Sequence, residues 1–215
     1  MPRLFLLSPA ALLLVVLSLS TGCAEPAPSV DVAQARAEWD AWVADREALF
    51  QSDSSPLPDS SRGSWEGVPY FEFDSTFVVA AALSPASQAD TLFLATNTGE
   101  LRPMVPFGTL AFQLEGRAQR LTAYVPLGPI AALTQSGRLF VPFRDATTGR
   151  ETYGGGRYLD LAPAPDGQFV IDFNQAYHPT CVYTPTFSCP IPPPENTLEV
   201  AVTAGERFAP NGADI

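Results

Sequence analysis

The chain has 215 residues, 23 acidic against 12 basic side chains, a formal net charge of −11, one histidine and three cysteines. All the basic residues are arginine, so Schiff-base chemistry, a pyridoxal anchor and a P-loop lysine are excluded. The acidic balance argues against nucleic acid or an anionic membrane surface as partner, and one histidine is too few for a His-rich zinc site.

The first segment, MPRLFLLSPAALLLVVLSLSTGC, has one charge at Arg3, an apolar run from Leu4 to Leu19 and then small residues, the layout of a secretory signal. The run is shorter than the roughly 20 residues that span a bilayer, which favours cleavage over a permanent anchor. Thr21-Gly22-Cys23 resembles the lipobox of bacterial lipoproteins, although Leu19 stands four residues before Cys23 where that pattern prefers three. The expectation is a signal over 1–22 and acylation of Cys23, by palmitate or similar chains, with ordinary secretion as the alternative. Several acyl chains hold a protein on a membrane lastingly. Residues 23–31, rich in proline, read as a stiff tether.

One segment has helical period. Trp39, Trp42, Val43, Arg46, Leu49 and Phe50 recur at spacings that place them on one face, and Asp31 with Gln34 suggests a capping box. The two tryptophans read as a face packed on the core rather than a ligand platform. Gln51 to Gly67 reads as a long loop. Beyond it, FVVAAAL, TLFLAT, TLAFQLEG, RLTAYVP, RLFVPF, RYLDL, QFVIDF and LEVAVT are short and alternating, with turn signals between them. Such tight spacing leaves no room for crossover helices, so the pairs are antiparallel. The fold class is mainly β: an antiparallel barrel or two-layer sandwich of about eight or nine strands, with one N-terminal amphipathic helix. A single β-rich domain over 32–208 and a flexible tail over 209–215 complete the organisation.

The polar constellations follow. ETYGGGRYLDL has three glycines before Arg157 but no following helix, which argues against a phosphate loop; the run reads as a tight turn, with a backbone anion nest beside Arg157 as the alternative. Asp172 and Asn174 flank Phe173 and share a face of one strand, either as a ligand-binding pair or as caps for the loop that follows. Glu195 and Asn196 either meet them in space or open the next strand. No Gly-x-Ser-x-Gly elbow is present, since GSWEG has its serine misplaced.

"DFNQAYHPTCVYTPTFSCPIPPPEN" holds His178, Cys181 and Cys189. Taken as metal ligands with a carboxylate, their spacing matches no familiar zinc knuckle. Outside the cytoplasm the two remaining cysteines are expected to pair, and closing that loop would contribute about 2.5 kcal/mol.

TYGGGRYLDL, DFNQAYHPTC, SCPIPPPEN and TAGE, taken in order, resemble the bacterial and archaeal family called domain of unknown function 1684, with weaker similarity through Ser55-Pro56-Leu57, VPYFEFD and TNTGELRPMVPFGTLAF. The resemblance marks Tyr153, Arg157, Asp172, Asn174, Tyr177, Glu195 and Asn196 as matching polar positions, and supports a folded, exported lipoprotein. The family pattern carries asparagine where this chain has His178, which weakens a family-wide catalytic role for that residue. No substrate is implied.

Two functions are compatible with these residues. One is a lipid-anchored module in the cell envelope, facing the periplasm or exterior, that binds a small ligand or an envelope protein through the Arg157, Asp172 and Asn174 face. The other is an enzyme, hydrolase or noncovalent cofactor protein (flavin included), with Asp172 or Glu195 as acid or base and Arg157 holding an anion. The first is favoured, because no nucleophile or metal set is recognisable; no cofactor is expected.

Overall fold

The computed structural model describes residues 30–128, 137–162 and 168–208. The expected signal, Cys23 and the 209–215 tail lie outside the described residues, as does nearly all of the expected tether.

Helix α1 spans Val32–Gln51 and begins as expected, with Asp31 accepting a hydrogen bond from the Gln34 N–H. The reciprocal half of the box is not made, because the Gln34 side chain donates to Glu38 instead. Of the expected face, Trp39, Trp42, Val43 and Arg46 are half-buried and Phe50 is buried, whereas Leu49 is exposed. A one-turn helix α2, Asp59–Arg62, interrupts the expected loop.

Seven strands form one antiparallel sheet: β1 Val78–Pro85, β2 Leu92–Ala95, β3 Leu101–Leu114, β4 Arg117–Pro126, β5 Leu139–Phe143, β6 Arg157–Leu161 and β7 Phe169–Asp172. The spatial order is β6-β5-β4-β3-β1-β7, with β2 added to the far half of β3. Strands β6 and β7, consecutive in sequence, are therefore the opposite edges of the sheet, and the sheet curls into a half-barrel. The two edges meet along a seam. The chain beyond β7 returns to β6 there, where Tyr158 and Tyr177 exchange both backbone hydrogen bonds.

The expected eighth strand, LEVAVT, forms no ladder. Its alternation is real: Leu198, Val200, Val202 and Ala204 enter the core while Thr197, Glu199 and Thr203 face solvent. Side chains take the place of a neighbouring strand. Val202 N–H donates to Asp145, and Arg157 donates to the carbonyls of Val202, Ala204 and Glu206. Its backbone and that of the residues just after it bond the body at Arg144 and Ala146 at one end and at Ala176, Phe71, Pro69 and Glu151 at the other.

The inner core joins Leu110, Phe112, Leu121, Val141, Phe143, Leu159, Ile171 and Phe173, with the Phe173 ring meeting Phe112 and Phe143 at 5.8 and 5.4 Å. On the outer face a second cluster places Met104, Tyr124, Phe140 and Tyr158 under Cys181 and Cys189. Strand β3 serves both clusters because its register shifts between Pro106 and Gly108, which turns Met104 outward and Leu110 inward. A third cluster seats α1, with Phe50 stacked on Trp65 and set edge-on to Tyr183, both at 4.7 Å.

Candidate functional site

Strands β6 and β7 form no ladder with each other among the described residues, so their edges leave a gap that the N-terminal half of α1 covers. A cleft of about 390 Å³ lies there. Ala35, Val78, Leu159 and Leu161 give it apolar walls, while Asp160, Asp172, Gln175, Glu38 and Arg138 supply its polar groups.

Asp160 projects from the outer face of β6. Its Oδ2 accepts from the Tyr177 hydroxyl at 2.9 Å, and its Oδ1 is buried without a partner. Burial pushes this carboxyl above the usual aspartate range, against the smaller opposing effects of the Tyr177 hydrogen bond and of Arg138 and Arg46. Arg138 is fastened through its Nε to the Asp160 carbonyl at 3.3 Å. Asp172 ends β7 and accepts from the Asn174 N–H, the Asn174 amide and the Gln175 amide. Burial raises its pKa too, while those hydrogen bonds oppose the rise.

Behind the cleft lies a buried ionic network. The Tyr177 ring stands 5.0 Å below the Arg46 guanidinium, and Arg46 donates to Glu206 Oε1 through Nε at 2.8 Å and Nη2 at 2.5 Å. Burial opposes the Arg46 charge, but Glu206 outweighs it and holds the cation firmly protonated. Glu206 Oε2 accepts from the His178 N–H at 2.6 Å and from the Tyr183 hydroxyl at 3.1 Å. The His178 ring is buried: Nε2 accepts from the Tyr153 N–H at 3.3 Å, and Nδ1 stands 3.8 Å from Glu206 Oε2 with no hydrogen bond. Burial, with Arg157 and Arg46 nearby, pushes its pKa well below the ordinary value, so the ring is neutral. With Nε2 accepting, the ring proton belongs on Nδ1.

The expected site residues therefore separate into three places. Asp172 and Asn174 touch, and Tyr177 reaches the same cleft through Asp160. Asn174 is wholly buried and exchanges hydrogen bonds with the Asp74 N–H and carbonyl, which fits the capping reading of the pair. Arg157 is far from this face in role: it is wholly buried, paired with Asp145 at 2.9 Å, its other Nη hydrogens go to backbone carbonyls, and its Nε is buried without a partner. A guanidinium spent in this way has no fork left for a ligand anion. The glycine run before it is a tight turn, as favoured. Gly156 has φ +90°, and a Cβ there would stand 2.5 Å from the Phe143 carbonyl.

Glu195 and Asn196 do not meet Asp172. Glu195 is exposed in an open groove of about 620 Å³ shared with Arg117 and Arg120. Asn196 is buried, accepting from the Thr122 N–H and donating to the Thr122 and Pro142 carbonyls. Tyr153 is half-buried at the edge of the outer cluster, its hydroxyl pKa pushed up to about 12 by burial and by Cys181. Cys181 and Cys189 are buried, unbonded thiols, and Cys189 Sγ accepts from the Cys181 N–H at 3.2 Å. Among the described residues no three His, Cys, Asp or Glu side chains converge as metal ligands.

Sequence reasoning missed Asp145, Asp160, Arg138 and Glu206. One signal pointed to the network: Arg46 sits on the inward stripe of α1, and a cation there requires a buried acceptor. Asp160, in RYLDL, carried no such mark.

The comparisons agree with this picture at the level of fold. The solution NMR structure of an uncharacterized protein from Haloarcula marismortui is similar with a TM-score of 0.66 and 37% identity, over 83% of this chain and 96% of that one. No curated protein matches the chain. The family described as "Protein of unknown function (DUF1684)" matches residues 63–207, which hold every strand and the whole Arg157 and Glu206 network apart from Arg46; the chain belongs to that family.

Proposed function

We propose that this protein is exported, anchored to a membrane of the cell envelope through acylated Cys23, and binds a small molecule in the cleft between α1 and the β6/β7 seam. The N-terminal charge, apolar run and lone cysteine support the anchor, and the proline-rich 23–31 segment leads directly to Val30 and Asp31 at the cleft margin. The ligand that fits has an apolar body and a cationic or hydrogen-bond-donating head. The observation that carries this reading is the pair of carboxyls, Asp160 and Asp172, both held above their ordinary range by burial in the wall of one cleft beside apolar side chains. A positive or donating head in the cleft offsets that burial cost, which is how a site converts an unfavourable free state into affinity.

The test has two parts. Labelled palmitate supplied to cells is expected in the wild-type protein and not in Cys23→Ser; equal labelling of both removes the anchor. Thermal shifts against a panel of small amines and their neutral analogues are expected to single out amines, with the shift lost in Asp160→Asn at unchanged far-ultraviolet circular dichroism. A panel that shifts neither protein removes the cleft as a binding site.

A further inference from the structure

We infer that Cys181 and Cys189 are joined into a disulfide while the exported chain folds, and that the bond is afterwards sealed from exchange. The inference rests on the export reading for its oxidant. Two S–H bonds break and one S–S bond forms; the two protons and two electrons pass to a disulfide-bearing oxidant, which leaves as a dithiol after a mixed-disulfide step.

Geometry brings the two residues together without help from the bond. Cys181 lies in the 3-10 turn Thr180–Val182, and the Cys189 sulfur already accepts its N–H at 3.2 Å. Asn97, in the β2–β3 turn, clamps the other end of the loop: it accepts from Cys189 N–H at 2.7 Å, donates its own N–H to the Cys189 carbonyl and donates its amide to the Phe187 carbonyl. The metal alternative loses its third ligand, because His178 Nε2 is taken by the Tyr153 N–H and Nδ1 lies 3.8 Å from Glu206.

Burial sets the timing. Cys181 is 6% exposed and Cys189 9%, packed against Met104, Tyr124, Phe140 and Tyr158. Thiol exchange requires in-line approach to a sulfur, so oxidant reaches the pair before the loop docks and reductant does not reach it after.

The full chain is to be expressed with its own N-terminus, denatured in alkylating agent without reductant, and cleaved at arginine. Tyr158–Arg207 is one fragment holding both cysteines. The expected fragment is unalkylated and lighter by two hydrogens, and in the folded protein it survives a millimolar thiol reductant that opens it once denaturant is added. In parallel, the reduced full chain is refolded with glutathione disulfide, which is expected to close the pair during refolding and not after it. The melting temperature should fall by about 5–10 °C in Cys181→Ser, from the loop-entropy contribution. Failure to close on refolding overturns the pairing. Closure on refolding, with a doubly alkylated fragment from cells, overturns the export reading instead. Ready reduction of the folded protein overturns the sealing.

Discussion

Arg46 Nη2 and Glu206 Oε1 stand 2.5 Å apart, with the glutamate side chain wholly buried and the arginine 15% exposed. This pair fastens the helix at the start of the domain to the last segment of its core. Removing one partner strands a buried charge, so Glu206→Gln should cost about 3–5 kcal/mol. Urea unfolding checks it: Arg46→Met combined with Glu206→Gln should be less destabilised than the sum of the two single changes.

His178 makes the protein acid-sensitive. Its folded pKa lies well below the ordinary value because of burial and the Arg157 and Arg46 charges, so below the ordinary histidine pKa the unfolded chain binds a proton that the folded chain refuses. Stability is fully present above about pH 6.5 and falls beneath it by as much as about 1.4 kcal/mol per pH unit, until the folded ring titrates. His178→Gln should flatten that decline in melting curves taken between pH 4 and 8. A decline that persists unchanged in that variant would overturn the assignment to His178.

Asp160 acts with the opposite sign. Its raised folded pKa means that the folded chain takes up a proton while the unfolded carboxyl is still ionised. Stability therefore rises as pH falls through that raised value and levels off below about 3.9. Asp160→Asn keeps an acceptor for Tyr177 and should be more stable than the parent at pH 7, with the advantage shrinking towards pH 4. A variant less stable at every pH would overturn this account.

Asn196 holds β4 and β5 to the final segment through three hydrogen bonds to the backbone of Thr122 and Pro142. Asn196→Ala leaves buried peptide groups without partners and should cost about 2–4 kcal/mol, read from the chemical denaturation midpoint.

Gly205 has φ +79°, and a Cβ there would meet the Ala176 carbonyl at 2.4 Å. Gly205→Ala should cost about 2 kcal/mol or more, from strain and displacement together. Gly99, also at positive φ but with open space around it, should tolerate alanine with a smaller loss, and comparing the two melting temperatures separates clash from dihedral strain.

Seven of the eight strands named from the sequence are strands in the structure, because alternation and turn chemistry are local signals. LEVAVT shows the limit of such signals: its period is that of a strand, but it meets backbone only at Arg144 and Ala146, and at Val202 its partners are the side chains of Asp145 and Arg157, which no local pattern reveals. The same blindness affected Arg157. Beside a glycine run it suggested an anion holder, and only the path of Val202 to Glu206 shows that backbone carbonyls occupy it. The curl of the sheet, which makes β6 and β7 its two edges and opens the cleft between them, depends on long-range pairing. Hence Asp172 and Asn174 could be paired from sequence, whereas Asp160, across the seam, could not.

The segment from Thr197 to Glu206 relates to the half-barrel much as a bound peptide relates to its receptor, recognised by side chains at fixed intervals rather than zipped into the sheet. Its four inward residues arrive last in the chain and fill the middle of the core. A nascent chain stopped short of Leu198 thus lacks these four core side chains, and Arg157 and Asp145 have lost their partners in the segment. Completion of the core therefore waits for the stretch from Leu198 to Ala204, however early the sheet pairs.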